Sequence, residues 1–228
     1  MSIMQKTHQL VIVGDSAFAE VAYECFTHDS PYEVVAFAVE RAYLGKTSLF
    51  GLPVVALEDL PQHFQPGSVH FYAALVYTQL NRLRARLYQA TKAMGYAPAS
   101  YISSRAFVWH NVELGEHCFV FEDNTLQPFV KIGHNVVLWS GNHVGHHSRI
   151  QDHCFISSHV VISGFCDIGT SSFLGVNATL ANNVSIGADN WLSPSVTILK
   201  DTQPAQLIRA PKPDVHKVST LDFFKVTP

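Results

Sequence analysis

The sequence is poor in charge and contains no long apolar run. Charged residues make up 14% of its 228 residues, which is low for a helical protein and more typical of a β-rich one. The formal net charge of −3 argues against nucleic acid or an anionic membrane as the main partner. No apolar run reaches transmembrane length, and the N-terminal residues lack the apolar region of a signal peptide. We therefore expect a cytoplasmic protein.

Cysteine is scarce, whereas histidine is abundant. None of the four cysteines belongs to a CxxC pair, which disfavours a zinc knuckle or a redox motif. Three of them, Cys118, Cys154 and Cys166, share one phase of the repeat described below, and we interpret them as buried packing thiols in a reducing compartment. Of the 13 histidines, most lie between His110 and His159.

A strict six-residue repeat occupies the second half of the chain. Every sixth residue from Ile102 to Ile198 is Leu, Ile or Val, without one insertion. Two positions earlier stand small or medium residues, and glycine often follows the aliphatic one. A period of six does not keep one face of a 3.6-residue helix, so the repeat excludes a helical array. Each unit is predicted to be a short strand and a corner, and three units close one triangular coil.

The first hundred residues have a different pattern. Apolar runs predict strands over 10–13, 33–39 and 69–76, with a helix from Ser16 to about residue 28 between the first two. Thr78 is the predicted cap of a helix to about Met94, whose basic face we expect to be solvated. This alternation predicts a small Rossmann-like βαβ domain with a parallel sheet.

The turn after the first predicted strand is a candidate ligand site. Gly14, Asp15 and Ser16 join a strand end to a helix N-terminus, which is an arrangement that binds anions. Glu40, at the end of the second strand, could accept hydrogen bonds from a ribose or a base. A tight turn without a ligand explains Gly14 equally well. The turn lacks a GxGxxG motif, which disfavours a dinucleotide.

In the repeat, residues eighteen apart fall in one column along an edge of the coil. His146 and Gly164 are such a pair, about 4.8 Å apart along the axis. A histidine can take a proton from an attacking amine or hydroxyl. The backbone N–H of a glycine can hold a thioester oxygen as it becomes an oxyanion. This pair is therefore a candidate acyl-transfer site.

The segment from Trp139 to Ile150, together with the two-part organisation, resembles the NeuD-type sugar acyltransferases. The resemblance covers nearly the whole chain. It implies an α/β plus all-β fold, with a nucleotide-sugar-binding domain over 1–100, a left-handed parallel β-helix of about six coils over 101–200, and a C-terminal tail over 201–228. It also implies a homotrimer with active sites between subunits. The implied reaction is transfer from acetyl-CoA or another acyl-CoA to a nucleotide-linked amino sugar, without a metal.

The resemblance also assigns residues. The catalytic base falls on His146 and the oxyanion-type glycine on Gly164, which also belongs to the coenzyme A contacts. The remaining candidates fall into two groups. The predicted substrate-binding residues are Gly14, Ser16, Glu40, Asn142, His143 and His147. The predicted coenzyme A-binding residues are Asn182, Arg209 and Lys212.

The chain departs from the family pattern in three places. Where several relatives carry an acidic residue that orients the base, this chain has His147. The glycine-rich coil near the C-terminus is replaced by Leu192, Ser193, Pro194 and Ser195, and the usual glycine-containing exit turn reads Arg209, Ala210, Pro211 and Lys212. These departures leave the orienting residue and the adenine contacts open.

Three other functions are compatible with the repeat. A sialic-acid-type sugar O-acetyltransferase would use the same base. A γ-carbonic anhydrase-like zinc enzyme would use histidines such as His117, His153 and His159, but the first two lie two coils apart, about 9.6 Å, which is too far for one zinc within one chain. A non-catalytic β-helix is disfavoured by the three clustered histidines His143, His146 and His147.

Overall fold

The computed structural model describes residues 5–212 and 214–227. The chain begins with a six-stranded sheet in the order β3-β4-β2-β1-β5-β6, parallel except for the β3–β4 pair. Its strands are β1 (His8–Val13), β2 (Tyr32–Val39), β3 (Ser48–Leu49), β4 (Leu52–Ala56), β5 (His70–Ala73) and β6 (Ala97–Pro98). Its helices are α1 (Ala17–His28), α2 (Leu60–His63) and α3 (Arg82–Ala93), with 3-10 turns at Arg41–Tyr43 and Leu57–Asp59.

The predicted parallel sheet is confirmed, but the start of α3 was predicted wrongly. Thr78 caps nothing, and the helix begins after Asn81. Gln79, Leu80 and Asn81 all have positive φ, so the chain turns sharply there before it becomes helical. The buried Asn81 side chain stabilises this turn, because its amide donates to the carbonyl of Ser171 at 3.1 Å. That partner lies 90 residues away and is invisible to local sequence signals.

A three-sided parallel β-helix follows, and the predicted left-handed β-helix of about six coils is confirmed. Strands one coil apart pair in register, as in Val144 with Ile162 and Ile162 with Leu180. Face 1 consists of β7 (Tyr101–Ile102), β10 (Phe119–Val120), β13 (Val137–Leu138), β16 (Phe155–Ile156), β19 (Phe173–Leu174), β22 (Trp191–Leu192) and β24 (Leu207–Ile208).

Two further faces close each coil. Face 2 consists of β8 (Phe107–Val108), β11 (Thr125–Leu126), β14 (His143–Val144), β17 (Val161–Ile162), β20 (Thr179–Leu180) and β23 (Thr197–Ile198). Face 3 consists of β9 (Glu113–Leu114), β12 (Lys131–Ile132), β15 (Arg149–Ile150), β18 (Asp167–Ile168) and β21 (Ser185–Ile186). The short helix α4 (Thr220–Phe223) lies in an exposed C-terminal segment.

The aliphatic column fills the interior of the β-helix. From Val120 to Ile198 every member is buried, whereas Ile102 is 41% exposed because it stands in the first coil. The three repeat cysteines are buried free thiols, as predicted, and burial raises the pKa of Cys118 and Cys154 to about 12. They are therefore neutral packing groups.

The structure reveals a third phase that the sequence analysis missed. Every sixth residue from His117 to Ser195 has positive φ, so each corner of the coil contains one left-handed residue. Gly, Asn, Asp and His adopt this conformation more readily than other residues, and Asn, Asp and His hold most of these positions. Several of the abundant histidines, including His147, His153 and His159, are such corner residues.

The N-terminal sheet packs on face 1 through aromatic side chains. Phe119 of β10 is fully buried and contacts Phe18 and Phe26 of α1 and Tyr72 of β5, with ring centroids 5.1–5.7 Å apart. Further along the same face, Phe155 and Phe173 belong to the same core cluster. One apolar core therefore joins the two parts of the chain.

A buried polar network (Asn81, Arg84, His117, Asn135 and His153) lies beside this core. Arg84 is completely buried, so the expectation of a wholly solvated helix face is wrong for this residue. Its guanidinium donates to the Asn135 side chain at 3.0 Å and to the carbonyl of His153 at 3.1 Å. Burial lowers the pKa of Arg84 to about 10, so the group stays charged at neutral pH and is compensated by carbonyl dipoles.

The hydrogen bonds of the network determine its tautomers. The backbone N–H of Ala73 donates to Nε2 of His117 at 2.8 Å, so the proton of His117 is on Nδ1. That N–H donates to Oδ1 of Asn135 at 3.0 Å, and Nδ2 of Asn135 donates to Nδ1 of His153 at 2.9 Å. Burial lowers the pKa of His117 to about 3, so it is neutral in the folded protein.

We predict that Arg84→Met lowers the free energy of unfolding by about 3 kcal/mol, because the Asn135 amide and several buried carbonyls lose their donor. Urea unfolding at fixed protein concentration measures the change. The matched control is Arg82→Met on the same helix, which removes an exposed ion pair with Asp189 and is expected to cost less than about 1 kcal/mol. Equal losses in the two variants would contradict an anchoring role for Arg84.

We predict that His117 makes stability fall in acid. The folded pKa of about 3 lies below the unfolded value near 6.5, so stability is full above pH 6.5 and is lost as the pH falls toward 3. His117→Asn, which tolerates the left-handed backbone, should remove about 2 kcal/mol of the loss between pH 7.5 and 5. Urea midpoints at both pH values test this. The exposed His28→Asn control should keep the parental difference, and an unchanged difference in His117→Asn would refute the assignment.

Candidate active site

His146 stands at the corner where β14 of face 2 leads into β15 of face 3. Its backbone N–H donates to Oε1 of Gln127 in the preceding coil at 2.9 Å, and its imidazole is exposed. A Cβ atom at Gly164 would lie 3.0 Å from Cε1 and Nε2 of His146. The two predicted catalytic residues are therefore adjacent, and the missing side chain at Gly164 makes room for the imidazole.

The N–H of Gly164 is not free for an oxyanion in this structure. It donates to Oδ1 of Asn182, in the next coil, at 3.0 Å. Asn182 was predicted as a coenzyme A contact; its exposed side chain occupies the donor that the sequence analysis assigned to the thioester oxygen. An acyl oxygen could receive this hydrogen bond only by replacing the Asn182 amide.

The predicted neighbours of the base have different environments. His147 is exposed, and its Nδ1 lies 3.1 Å from Nδ1 of His146. His143 points outward from face 2 and is half-buried. Asn142 was predicted to contact the sugar, but its side chain does not face solvent in this chain. It is buried, and its amide donates to the carbonyl of Trp139 and accepts from the N–H of Val160, so it braces two coils.

A cavity of about 540 Å³ lies at the carboxyl ends of β1, β2 and β5. Strand order reverses between β1 and β5, and ligands bind at this position in open α/β sheets. Three residues predicted from the sequence, Gly14, Ser16 and Glu40, line it. Gly14 has φ +124°, and a Cβ there would lie 3.0 Å from the carbonyl oxygen of Ala74. Only glycine accommodates this turn without strain.

Charged groups surround the cavity in pairs. Arg86 of α3 donates to both carboxylate oxygens of Glu40, at 2.7 and 2.8 Å, and this bidentate hydrogen bonding holds the pKa of Glu40 below its ordinary value. Lys46 donates to the carbonyl of Asp15 at 2.7 Å. A ligand that uses Glu40 must therefore compete with Arg86, a residue that the sequence analysis placed only on a solvated helix face.

The cavity and His146 lie on different sides of one chain. The N-terminal sheet packs on face 1, whereas His146 stands at the corner between faces 2 and 3, opposite face 1. Lys212 and Arg209, the other predicted coenzyme A residues, are exposed beyond β24. A single chain therefore does not bring the predicted sugar residues of the cavity to the predicted base.

Of the histidines considered as zinc ligands, His117 and His153 belong to the buried polar network, whereas His159 is exposed. Both ring nitrogens of His117 are hydrogen-bonded to the protein, and Asn135 stands between His117 and His153. His159 lies against Gly141, at another corner. Within 5–212 and 214–227, no three His, Cys, Asp or Glu residues form a group that could hold a metal ion. In the same ranges no helix is long and apolar enough to cross a membrane.

Four residues of these two sites were not predicted from the sequence: Gln127, Phe129, Phe165 and Arg86. Phe129 and Phe165 stack on the two faces of His147, with ring centroids 4.6 and 4.9 Å apart. The eighteen-residue spacing could have revealed them, because they stand one coil before and one coil after His147. No local signal could have paired Arg86 with Glu40, which lies 46 residues earlier.

The comparison with known protein families covers part of the β-helix. Residues 124–164 match the model of the bacterial transferase hexapeptide (six repeats). No curated protein sequence matches the chain significantly. The matched segment contains His146 and Gly164, so the candidate pair lies inside the transferase repeats.

Solved structures match almost the whole chain. A mutant of perosamine N-acetyltransferase from Caulobacter crescentus, in complex with CoA and GDP-perosamine, has a TM-score of 0.79 at 24% identity, covering 89% of this chain and 93% of that one. The acetyltransferase domain of PglB from Neisseria gonorrhoeae FA1090 has a TM-score of 0.78 at 20% identity, covering 90% and 97%. WeeI from Acinetobacter baumannii AYE has a TM-score of 0.57 at 17% identity, covering 84% and 94%.

The solved structures match both parts of the chain, and the family model matches the β-helix. The predicted resemblance to NeuD-type acyltransferases is thereby confirmed in the fold. The chain carries the hexapeptide repeats of bacterial transferases and has the fold of the solved sugar N-acetyltransferases.

Proposed function

We propose that this protein transfers an acyl group from acetyl-CoA or a larger acyl-CoA to the amino group of a nucleotide-linked amino-deoxysugar. The observation that carries the proposal is the imidazole of His146 against Gly164, inside the transferase repeats. Two structural relatives support the substrate classes, since one was solved with CoA and GDP-perosamine and another with acetyl coenzyme A.

The proposed reaction needs a base and an oxyanion donor. Nε2 of His146 takes a proton as the sugar amine attacks the thioester carbonyl. The carbonyl oxygen becomes an oxyanion and receives the N–H of Gly164 after displacing the Asn182 amide. Collapse of the tetrahedral intermediate breaks the C–S bond, and the imidazolium of His146 returns its proton to the departing thiolate, which releases the thiol of coenzyme A and the amide product. The base lies at an exposed corner, so both substrates can reach it.

In this proposal the nucleotide-linked sugar occupies the cavity at Gly14, Ser16 and Glu40. The first turn of α1 supports an anion there, because the side chain of Ser16 makes no capping hydrogen bond and leaves the helix N-terminus open to a ligand. Asn182, Arg209 and Lys212 lie toward the end of the β-helix, where we place coenzyme A. In this proposal, residues 1–100 bind the nucleotide and residues 101–200 carry out the acyl transfer.

The position of the base supports an assembly with sites between subunits. Because His146 lies opposite face 1, the cavity of one chain would serve the base of a neighbour. Exposed apolar residues beside this corner, including Phe129, Phe165 and Val161, favour such a contact. We therefore propose a homotrimer. The four free cysteines support a location in a reducing compartment, the cytoplasm.

Release of free thiol from acetyl-CoA in the presence of 3-amino or 4-amino nucleotide sugars tests the function. We expect His146→Gln to lower kcat by a factor of about 10²–10⁴, because it removes the base while keeping the corner geometry. Coenzyme A binding, followed by calorimetry, should stay within about twofold of the parent, since the imidazole acts on the amine proton. The exposed His28→Gln variant is the control.

Two outcomes would count against this function. Full activity of His146→Gln would show that another group is the base. Thiol release with hydroxy-sugar nucleotides but none with amino-sugar nucleotides would move the protein to O-acylation.

We expect Gly14→Ala to raise KM for the nucleotide sugar by roughly tenfold, because the new Cβ meets the Ala74 carbonyl and forces the turn to shift. The KM for acyl-CoA should not change. Gly45→Ala is the matched control, since nothing lies within 4 Å of a Cβ at that position. Initial-rate kinetics with each substrate varied checks both values. If only the KM for acyl-CoA rises, the cavity binds acyl-CoA and not the nucleotide sugar.

A further inference from the structure

The two neighbouring imidazoles at the candidate site form a direct hydrogen bond. Nδ1 of His146 and Nδ1 of His147 are 3.1 Å apart, and the ring planes are 88° apart. A hydrogen bond between two imidazole nitrogens needs a proton on one and a lone pair on the other. When Nδ1 of His146 is the donor, Nε2 of the same ring keeps its lone pair. Nε2 is the nitrogen beside Gly164, where the proposed reaction needs a base.

We propose that His147 is a positioning residue that holds His146 in the tautomer with a free Nε2. The inference rests on the proposed function and deepens it, because it identifies the group that orients the base. His147 need not touch either substrate to act in this way. It accepts the Nδ1 proton of His146 and so decides which nitrogen of the base is available.

Two phenylalanines hold His147 in place. Phe129, one coil before it, stacks on the imidazole with centroids 4.6 Å apart and planes at 27°. Phe165, one coil after it, stacks on the other face at 4.9 Å and 17°. The edge of Phe165 also meets His146 at 5.0 Å. The sandwich fixes the plane of the His147 ring, and in this position its Nδ1 faces Nδ1 of His146.

The backbone conformation at these corners indicates that the two phenylalanines have a role that offsets their conformational cost. Phe129, His147 and Phe165 all occupy the left-handed corner phase, with φ of 65°, 59° and 60°. From His117 to Ser195, the other members of this phase are Gly, Asn, Asp, His and Ser. A bulky side chain without a polar atom is unfavourable at such a φ. Both phenylalanines are more than half exposed, so burial in this chain does not offset that cost.

No carboxylate competes for the orienting role within the described residues. His28 is the one histidine there whose ring lies within 4.0 Å of a carboxylate. The titratable and charged groups on the strands and corners beside the pair are His110, His143, Lys131, Arg149, Asp167 and the buried thiol of Cys166. None of them has a hydrogen bond to either imidazole, and Asp167 instead accepts from the side chain of Gln151.

A neutral orienting group has a chemical consequence. A carboxylate beside His146 would stabilise the imidazolium and so favour the protonated, inactive base. An imidazole that accepts a hydrogen bond at Nδ1 carries no charge, so His147 orients the ring without that electrostatic effect.

Three variants of His147 test the inference by kinetics. His147→Ala should lower kcat by roughly 10- to 100-fold while both KM values stay within about twofold. His147→Asn should recover much of the loss, because the amide oxygen can accept the Nδ1 proton and Asn tolerates the left-handed backbone. His147→Asp should move the acid limb of the kcat/KM profile to higher pH, because an anion now faces His146.

The matched control is His159→Asn, another left-handed corner histidine, which should leave kcat and the pH profile unchanged. Thermal unfolding of each variant separates loss of folding from loss of orientation. A kcat within twofold of the parent in His147→Ala, or an acid limb that does not move in His147→Asp, would overturn the inference.

A readout without turnover separates this inference from the proposed function. If the parent protein releases no thiol with any amino-sugar nucleotide, the proposed function fails. Long-range ¹⁵N–¹H spectra of histidine-labelled protein, assigned with His146→Gln, then still test the pair. We expect a neutral His146 protonated on Nδ1 in the parent and on Nε2 in His147→Ala. The same tautomer in both proteins would refute the positioning role.

Discussion

The β-helix depends on one constraint, a coil of constant length that lets each strand pair in register with the strand one coil away. Because the period runs from Ile102 to Ile198 without an insertion, aliphatic side chains stack inside the prism and left-handed corner residues stack along its edges. A one-residue insertion that is not looped out would shift the inward-facing phase of every later repeat by one position, and the aliphatic side chains would no longer point into the prism. The register that fills the core therefore also brings His146 beside Gly164.

The buried polar network fixes the position of the N-terminal sheet on face 1. Arg84 brings a positive charge into the interior, and carbonyl and amide oxygens surround it. Such a group tolerates few alternative arrangements, because any shift leaves a buried charge or carbonyl without a partner. The network thus keeps the cavity at a defined position relative to the β-helix, on the side away from His146. The proposed catalysis between neighbouring chains is compatible with this geometry.

Three side chains have surroundings that the sequence did not indicate, and the reason is the same in each case. Asn142 lies next to the histidine cluster, yet its side chain braces two coils, because its position faces the interior of the corner. Arg84 looked like one of several solvated cations on a helix, yet it is buried against a β-helix corner. Thr78 looked like a helix cap, but contacts of Asn81 with residues 90 positions away set the start of α3. In each case a contact distant in sequence decided the outcome.

The sequence by itself determined the β-helix, its core and the adjacency of His146 and Gly164, because a constant period converts sequence spacing directly into spatial neighbours. It also determined the parallel N-terminal sheet, whose apolar runs are long enough to be recognised. Only the tertiary structure decided how the sheet packs on face 1 and that Arg86 forms an ion pair with Glu40. It also decided that Asn182 accepts the hydrogen bond from the N–H of Gly164. The contact between Nδ1 of His147 and Nδ1 of His146 likewise came only from the tertiary structure. These features depend on side-chain directions and on contacts between segments with no common period, and spacing along the chain carries no information about either.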